Sequence, residues 1–264
     1  MSEGAVSGME TYEVLGIPVT VGDRESILAR ILDLGHRPEP AMVVPVNPEV
    51  LVIAGRHPAL CQVLKTTVLN LVDGAGLAWL LSQYAGRKVE RFPGVDLVEL
   101  LARESARSKL RIGFVGGRPG SAERARVALL AQYPGGDIWL GPPITVPQLP
   151  GPDLEYAAVV RDAGVDMLLV ALGSPKQELW LAENLPACGA KIGMGVGGSF
   201  EILGGLVPRA PLWMRRSNLE WLYRTWREPS RLPRLIALAR LPVRVVRARA
   251  SGRAAVAQFL ARDV

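Results

Sequence analysis

Cysteine and histidine are almost missing from this chain: Cys61, Cys188, His36 and His57 are all it has. Two distant cysteines with no CxxC pattern give neither a disulfide framework nor a zinc site, and point to free thiols in a reducing compartment, the cytoplasm. Two histidines, with no GxSxG elbow anywhere, leave no Ser-His-Asp set to assemble. His57 stands before Pro58 at a helix end, where capping or solvation accounts for it. No Asp-x-Asp occurs, and no close group of His, Cys and carboxylates suggests a metal. Long apolar runs are missing too; without eighteen such residues in a row, a spanning helix is not expected. Met1 to Glu10 carries acidic groups and no apolar segment, unlike a secretory signal.

What is present is enough apolar content, 49% over 264 residues, to bury a large core. The net charge of +6 is unevenly spread. Thirteen arginines between Arg209 and Val264 face only Glu220, Glu228 and Asp263, so this tail carries +10 and the rest of the chain −4. The division predicts a body over residues 1–207 and a basic, aromatic-rich helical appendage over 208–264. Such an asymmetry calls for an anionic partner for the tail.

Along the body, apolar runs and amphipathic stretches alternate. Glu13 to Val21 reads as a hairpin or extended entry around Gly16-Ile17-Pro18. Asp23 caps a helix whose inner face is Ile27, Ile31 and Leu32. Ala41 to Val46 is a buried parallel strand, ending in Asn47-Pro48-Glu49 at the start of a helix with Val50, Leu51, Ile53 and Ala54 inward. Further strands are expected at Val68–Val72, Arg111–Val115, Asp137–Leu140, Val165–Ala171 and Lys191–Val196. Between them lie helices after Asp73, after Asp96, after Gly120 and from Asp153 to Ala163, and another behind the loop Gly173–Glu178. This order predicts a Rossmann-like, doubly wound, mostly parallel α/β sheet.

The organising stretch is Val68 to Leu77, a short apolar strand followed at once by Asp73 and two glycines. A carboxylate at the carboxyl end of a strand lies where open α/β sheets bind ligands. Asp73 reads equally as a cap for the next helix. Asn47, Asp73, the Gly116-Gly117 turn and Gln177 all fall at strand ends, and a parallel sheet gathers such ends along one edge. Each also has a purely structural reading: Asn47 as a cap, Gln177 as a first-turn residue, the glycine pair as a tight turn. Gly116-Gly117 is neither a full dinucleotide fingerprint nor a P-loop. Without a metal, a bound diphosphate would rely on arginines and helix N-termini.

The sequence of Asn47, Val-Asp73-Gly, Arg91-x-x-Gly-x-Asp96-Leu, Gly173-x-Pro-Lys-Gln177-Glu178 and Gly-Val-Gly-Gly198 resembles the WecG/TagA/CpsF glycosyltransferases, family 26. So does the closing Pro208-Arg209-Ala210-Pro211-x-Trp213-Met214…Leu219-Glu220-Trp221-Leu222-Tyr223-Arg224…Glu228-Pro229-x-Arg231. The likeness runs from about Tyr12 to about Leu235. It implies inverting, metal-independent transfer of an N-acetylmannosamine-type sugar, or glucose, from a UDP-sugar to a polyprenyl-diphosphate-linked saccharide. The setting it implies is bacterial cell-surface polysaccharide synthesis at the inner face of the plasma membrane. Asp73 matches the family's catalytic base, and Asn47, Arg91 and Gln177 match its pocket residues. Arg224, Arg231 and Arg234 match arginines of an appendage that closes over the donor phosphates. One position departs: the family has Thr two residues before the Asn, and here Pro45 removes any hydroxyl contact.

These residue types suit a single displacement. A base takes the acceptor hydroxyl's proton as it attacks the anomeric carbon, and arginines meet the charge that gathers on the departing UDP. In the tail, Trp213, Trp221, Leu222, Tyr223 and Trp226 interleave with arginines, as in a helix lying on an anionic membrane surface. A basic surface helix packed on the body fits the same pattern. The rival function is a non-catalytic nucleotide- or nucleic-acid-binding protein on the same fold; no nucleic-acid module is recognised, so nucleic acid is not the expected partner. Self-association into a homo-oligomer is compatible with either reading.

Overall fold

The computed structural model describes residues 8–211, 213, 214, 219, 220, 222 and 223. The chain opens with an antiparallel hairpin, β1 (Glu10–Val14) and β2 (Ile17–Val21). Its two-residue turn, Leu15-Gly16, has positive φ at both positions, the geometry whose twist matches that of the flanking strands. Asp23 then caps α1 (Arg24–Leu34) by accepting the Ser26 N–H, and Ile27, Ile31 and Leu34 are buried beneath it.

The parallel strands follow at β3 (Ala41–Val46), β4 (Leu69–Val72), β5 (Arg111–Gly116), β6 (Asp137–Leu140), β7 (Met167–Ala171) and β8 (Ile192–Gly195). Their spatial order is β1-β2-β4-β3-β8-β7-β5-β6, and every pairing except β1–β2 is parallel. The connecting helices are α2 (Pro48–Ala54), α3 (Pro58–Thr66), α4 (Ala75–Ala85), α5 (Gly94–Ser108), α6 (Ser121–Gln132), α7 (Leu154–Asp162), α8 (Lys176–Cys188) and α9 (Ser199–Leu203).

Strand residues alternate between two packed layers, as the period of two requires. Val43, Leu69, Leu71, Phe114 and Leu169 pack with α1, α5, α6 and α9, where Phe114 and Phe200 stack at 4.4 Å between centroids. On the other face Val44, Val46 and Val72 pack with α2, α3 and α4, and Leu168 and Val170 with α7 and α8. The sheet is doubly wound, as expected from the alternating pattern.

Three local expectations are corrected. Val68 is exposed and β4 begins at Leu69. The helix end expected at His57 is the start of a second helix, α3, while the capping reading of His57 holds, its Nδ1 accepting the Leu60 N–H at 3.4 Å. The loop expected through Glu178 stops earlier, because α8 begins at Lys176 and takes Gln177 and Glu178 into its first turn.

Pro45 has a clear effect on the sheet. Ala41 N–H donates to Lys191 O while Val46 O accepts from Asp73 N–H, so odd positions of β3 face β8 and even positions face β4. The β3–β8 ladder ends at Val43↔Met194, and the next group facing β8 is the N–H that Pro45 lacks. The β3–β4 ladder continues to Val46↔Val72. β3 and β8 are therefore paired at their amino ends and unpaired at their carboxyl ends.

Asn70 holds the opposite half of β4. Fully buried, it donates from Nδ2 to Pro18 O at 2.8 Å and Leu64 O at 2.7 Å, joining β2, β4 and the end of α3. Replacing it by alanine leaves two carbonyls short of a donor. Asn70→Ala should lower the unfolding free energy by about 2–4 kcal/mol in urea titration with an unchanged m-value.

Candidate active site

Consecutive strands β4, β3, β8, β7 and β5 present their carboxyl ends side by side, and Asn47, Asp73, Gln177 and Gly116-Gly117 all lie along that edge. The chain leaving β3 turns to β4 on one side, and the chain leaving β5 turns to β6 on the other. Between them is the switch in winding at which open α/β sheets form a ligand crevice. With strands about 4.8 Å apart, the edge from Asp73 to Gly116 spans about 19 Å.

Asn47 and Asp73 are brought into contact. Asn47 Oδ1 accepts the Val50 N–H at 3.0 Å, capping α2, and its Nδ2 lies 3.4 Å from Asp73 Oδ2. Both readings of Asn47, cap and site residue, thus hold at once through its two ends. Asp73 Oδ1 accepts the Gly74 N–H at 2.6 Å. The N-cap of α4 is Gly74, not Asp73, and it has no side-chain cap. Gly74 has a φ of +80°, and a Cβ there would press on Pro48 Cδ at 3.2 Å and Asn47 Cβ at 3.4 Å. Glycine therefore allows the turn that sets Asp73 against Asn47. These contacts help to aim the carboxylate, and Asp73 stays partly exposed.

Arg91 arrives from the α4–α5 connection. The neighbouring Phe92 N–H donates to Val72 O at 2.7 Å, fastening this segment to the end of β4 next to Asp73. Arg91 is likewise partly exposed.

Gln177 lies on the same edge but is not joined to Asp73. It is 6% exposed, and its Oε1 accepts from Gly173 N–H at 3.2 Å and Gly197 N–H at 3.0 Å. Its Nε2 donates to Glu178 Oε1 at 2.8 Å. Burial holds the Glu178 carboxyl above the usual carboxylate range, so it keeps its proton to higher pH than an exposed glutamate. The sequence gives no sign of this pairing, because an acidic residue in a first helical turn is the ordinary companion of a helix N-terminus.

Gly116 and Gly117 have φ of +82° and +85°. A Cβ on Gly116 would sit 2.9 Å from Ala171 O, and one on Gly117 would sit 2.4 Å from Ser121 Oγ. The Gly117 N–H already donates to Ala171 O at 2.7 Å. Packing against β7 and α6 accounts for both glycines, as the tight-turn reading expects.

Arg224, Arg231 and Arg234 lie outside the described residues, as do Trp221 and Trp226; of the expected tail residues, Trp213 and Leu222 are described and both are exposed. What the structure does describe is the start of the appendage. Ala210 is 3% exposed, and Arg209 forms ion pairs with Asp96 in the first turn of α5 and with Glu220, at 3.4 Å to the latter. Asp96 comes from one motif and Arg209 and Glu220 from another, and only the fold shows that one guanidinium joins them. Among the described residues no three His, Cys, Asp or Glu side chains gather as a metal site, and no helix is long and apolar enough to cross a membrane.

A doubly wound sheet with a positioned carboxylate on its carboxyl edge, one strand outside the winding switch, defines a Rossmann-like, ligand-handling α/β protein. The chain belongs to the WecG/TagA/CpsF family of glycosyl transferases, whose sequence profile matches residues 12–255. It is 28% identical over 211 residues to the N-acetylglucosaminyldiphosphoundecaprenol N-acetyl-beta-D-mannosaminyltransferase of Staphylococcus aureus (strain MRSA252), covering 78% of this chain and 80% of that one. The protein is a glycosyltransferase, similar to an N-acetylmannosaminyltransferase, and the reading as a non-catalytic binding protein is set aside.

The double duty of Asn47 can be separated by substitution. Serine caps a helix about as well as asparagine but cannot supply the amide donor to Asp73. Asn47→Ser should keep the thermal midpoint within about 2 °C, since cap exchange of this kind costs only a few tenths of a kcal/mol. Sugar transfer, measured as product per enzyme, should fall about tenfold or more.

Proposed function

We propose that this enzyme transfers N-acetylmannosamine from a UDP-sugar to a polyprenyl-diphosphate-linked N-acetylglucosamine, with inversion and without a metal ion, in cell-surface polysaccharide synthesis. The observation that carries the proposal is the Asn47–Asp73 contact at the carboxyl end of β3 and β4, a partly exposed carboxylate aimed by an amide. The activity for which the Staphylococcus aureus relative is named supports the sugar and the lipid-linked acceptor.

In this scheme the acceptor hydroxyl gives its proton to Asp73 as its oxygen attacks the anomeric carbon. The bond from that carbon to the diphosphate oxygen breaks on the opposite face, and UDP leaves with the electron pair. One displacement inverts the centre. A positioned base contributes about 10²–10⁴-fold. Negative charge grows on the diphosphate, and Arg224, Arg231 and Arg234 are the groups proposed to meet it, by bidentate contacts made stronger as charge develops. The Arg209–Glu220 pair supports their participation, because it holds the chain four residues before Arg224 against α5. Arg91, fastened beside Asp73, is proposed as a sugar or phosphate ligand, with Gly116 and Gly117 shaping the far end of the donor site.

UDP release should depend on a lipid-diphosphate-linked N-acetylglucosamine acceptor and persist in the presence of a chelator. Asp73→Asn should reduce transfer at least 10²-fold while UDP-sugar affinity, measured by calorimetry, stays within about threefold. Near-normal turnover in that variant would remove Asp73 from the base role.

The basic tail is proposed to keep the enzyme peripheral on the inner face of the plasma membrane. Each arginine near an anionic leaflet contributes about 1 kcal/mol. The full-length variant R240Q/R244Q/R247Q/R249Q, which spares the three phosphate arginines, should bind phosphatidylserine-containing vesicles at least tenfold more weakly in sedimentation assays. Equal binding by this variant and the wild type would exclude the electrostatic anchor.

A further inference from the structure

The turns after β7 and β8 are joined by a single side chain. Gln177 Oε1 has two lone pairs, and both are occupied, by the N–H groups of Gly173 and Gly197. One amide hydrogen goes to Glu178 Oε1. The opposite assignment of the amide would aim an NH₂ group at two backbone N–H groups, so the two glycines fix its orientation. Space for it is reserved as well: a Cβ on Gly195 would lie 2.6 Å from Gln177 Nε2. Glu178 itself is 1% exposed and cannot meet a ligand directly. Four positions of two separate motifs, Gly173 and Gln177 in one and Gly195 and Gly197 in the other, are thus explained by one interaction.

We propose that Glu178 is a positioning residue that locks the Gln177 amide, so that Gln177 staples the two turns and offers the crevice a hydrogen-bond donor but no acceptor. With its carbonyl oxygen fully used, the remaining capacity of Gln177 is the second Nε2 hydrogen. Any ligand atom it meets is an acceptor: a hydroxyl or carbonyl oxygen of the sugar, or a phosphate oxygen. For the ligand's identity this rests on the proposed UDP-sugar reaction; the locking of the amide does not.

The test uses three full-length variants and two kinds of readout, amide hydrogen exchange at Gly173 and Gly197 and steady-state kinetics with the UDP-sugar. Glu178→Ala should speed exchange at both amides at least tenfold and raise the donor KM about tenfold, with kcat within threefold. Glu178→Gln retains an acceptor oxygen and should recover most of both losses. The exchanged pair Q177E/E178Q preserves the staple with reversed polarity: the carboxylate introduced at 177 accepts the two glycine N–H groups, and the amide introduced at 178 donates to it. It should keep slow exchange yet retain the raised donor KM, which a merely structural role would not produce. Unchanged exchange in Glu178→Ala overturns the positioning role. Wild-type donor KM in the exchanged pair overturns the donor-only claim. If Glu178→Ala does not fold, fast exchange in the exchanged pair overturns the staple by itself. Absence of any UDP-sugar turnover by the wild type would count against the proposed function, while the exchange measurements would still decide the staple.

Discussion

The junction between β3 and β8 is where the two halves of this sheet meet, and the site depends on how far that junction is paired. Hydrogen bonds run from Ala41↔Ile192 to Val43↔Met194 and then stop, because the next group due to donate belongs to a proline. At their amino ends the strands are bound into one sheet; at their carboxyl ends they are not. Asn47 stands on one side of the unpaired end, and Gly195 and Gly197 stand on the other. A residue with an N–H at 45 would be able to extend the ladder toward the ligand edge. Proline here removes the ladder donor that any other residue would supply.

From this junction outward, each half arms its own side of the edge. On the β4 side a helix cap doubles as a side-chain orienter, since one amide group satisfies the start of α2 and turns toward Asp73. On the β7 side the glutamine holds turns together and its neighbouring buried acid, whose pKa burial raises, fixes it. Rigid elements set both, and the glycines serve to let backbone and side chain approach closely rather than to loosen the site. Arg209 then connects this rigid body to the first residues of the basic tail by sharing its guanidinium between Asp96 and Glu220.

Most of the fold could be read from the chain in advance because burial on both faces writes parallel strands as apolar runs such as Ala41–Val46 and Met167–Ala171. Errors arose where a local signal was ambiguous. Pro58 signals a helix start as well as a helix end, and Lys176-Gln177-Glu178 after Gly-Ser-Pro looks like loop until the hydrogen bond from Gln177 N–H to Gly173 O is seen. Within the site, Asn47, Asp73 and Gln177 were legible because each ends a strand. Glu178 and Arg209 were not: the part played by Glu178 depends on its burial, and that of Arg209 on Asp96, which sequence spacing does not place nearby.

By itself, then, the amino-acid sequence determined the α/β alternation, the acidic body and basic tail, and the polar residues that end each strand. These follow from composition and short-range periodicity, which act through neighbours along the chain. Only the tertiary structure decided that the β3–β8 ladder stops at Pro45, that Asn47 serves α2 and Asp73 at once, and that Gln177 spends its carbonyl on two distant glycines. Hydrogen bonds of this kind are directional and short, and they form between groups that the sheet order, not the sequence, brings together.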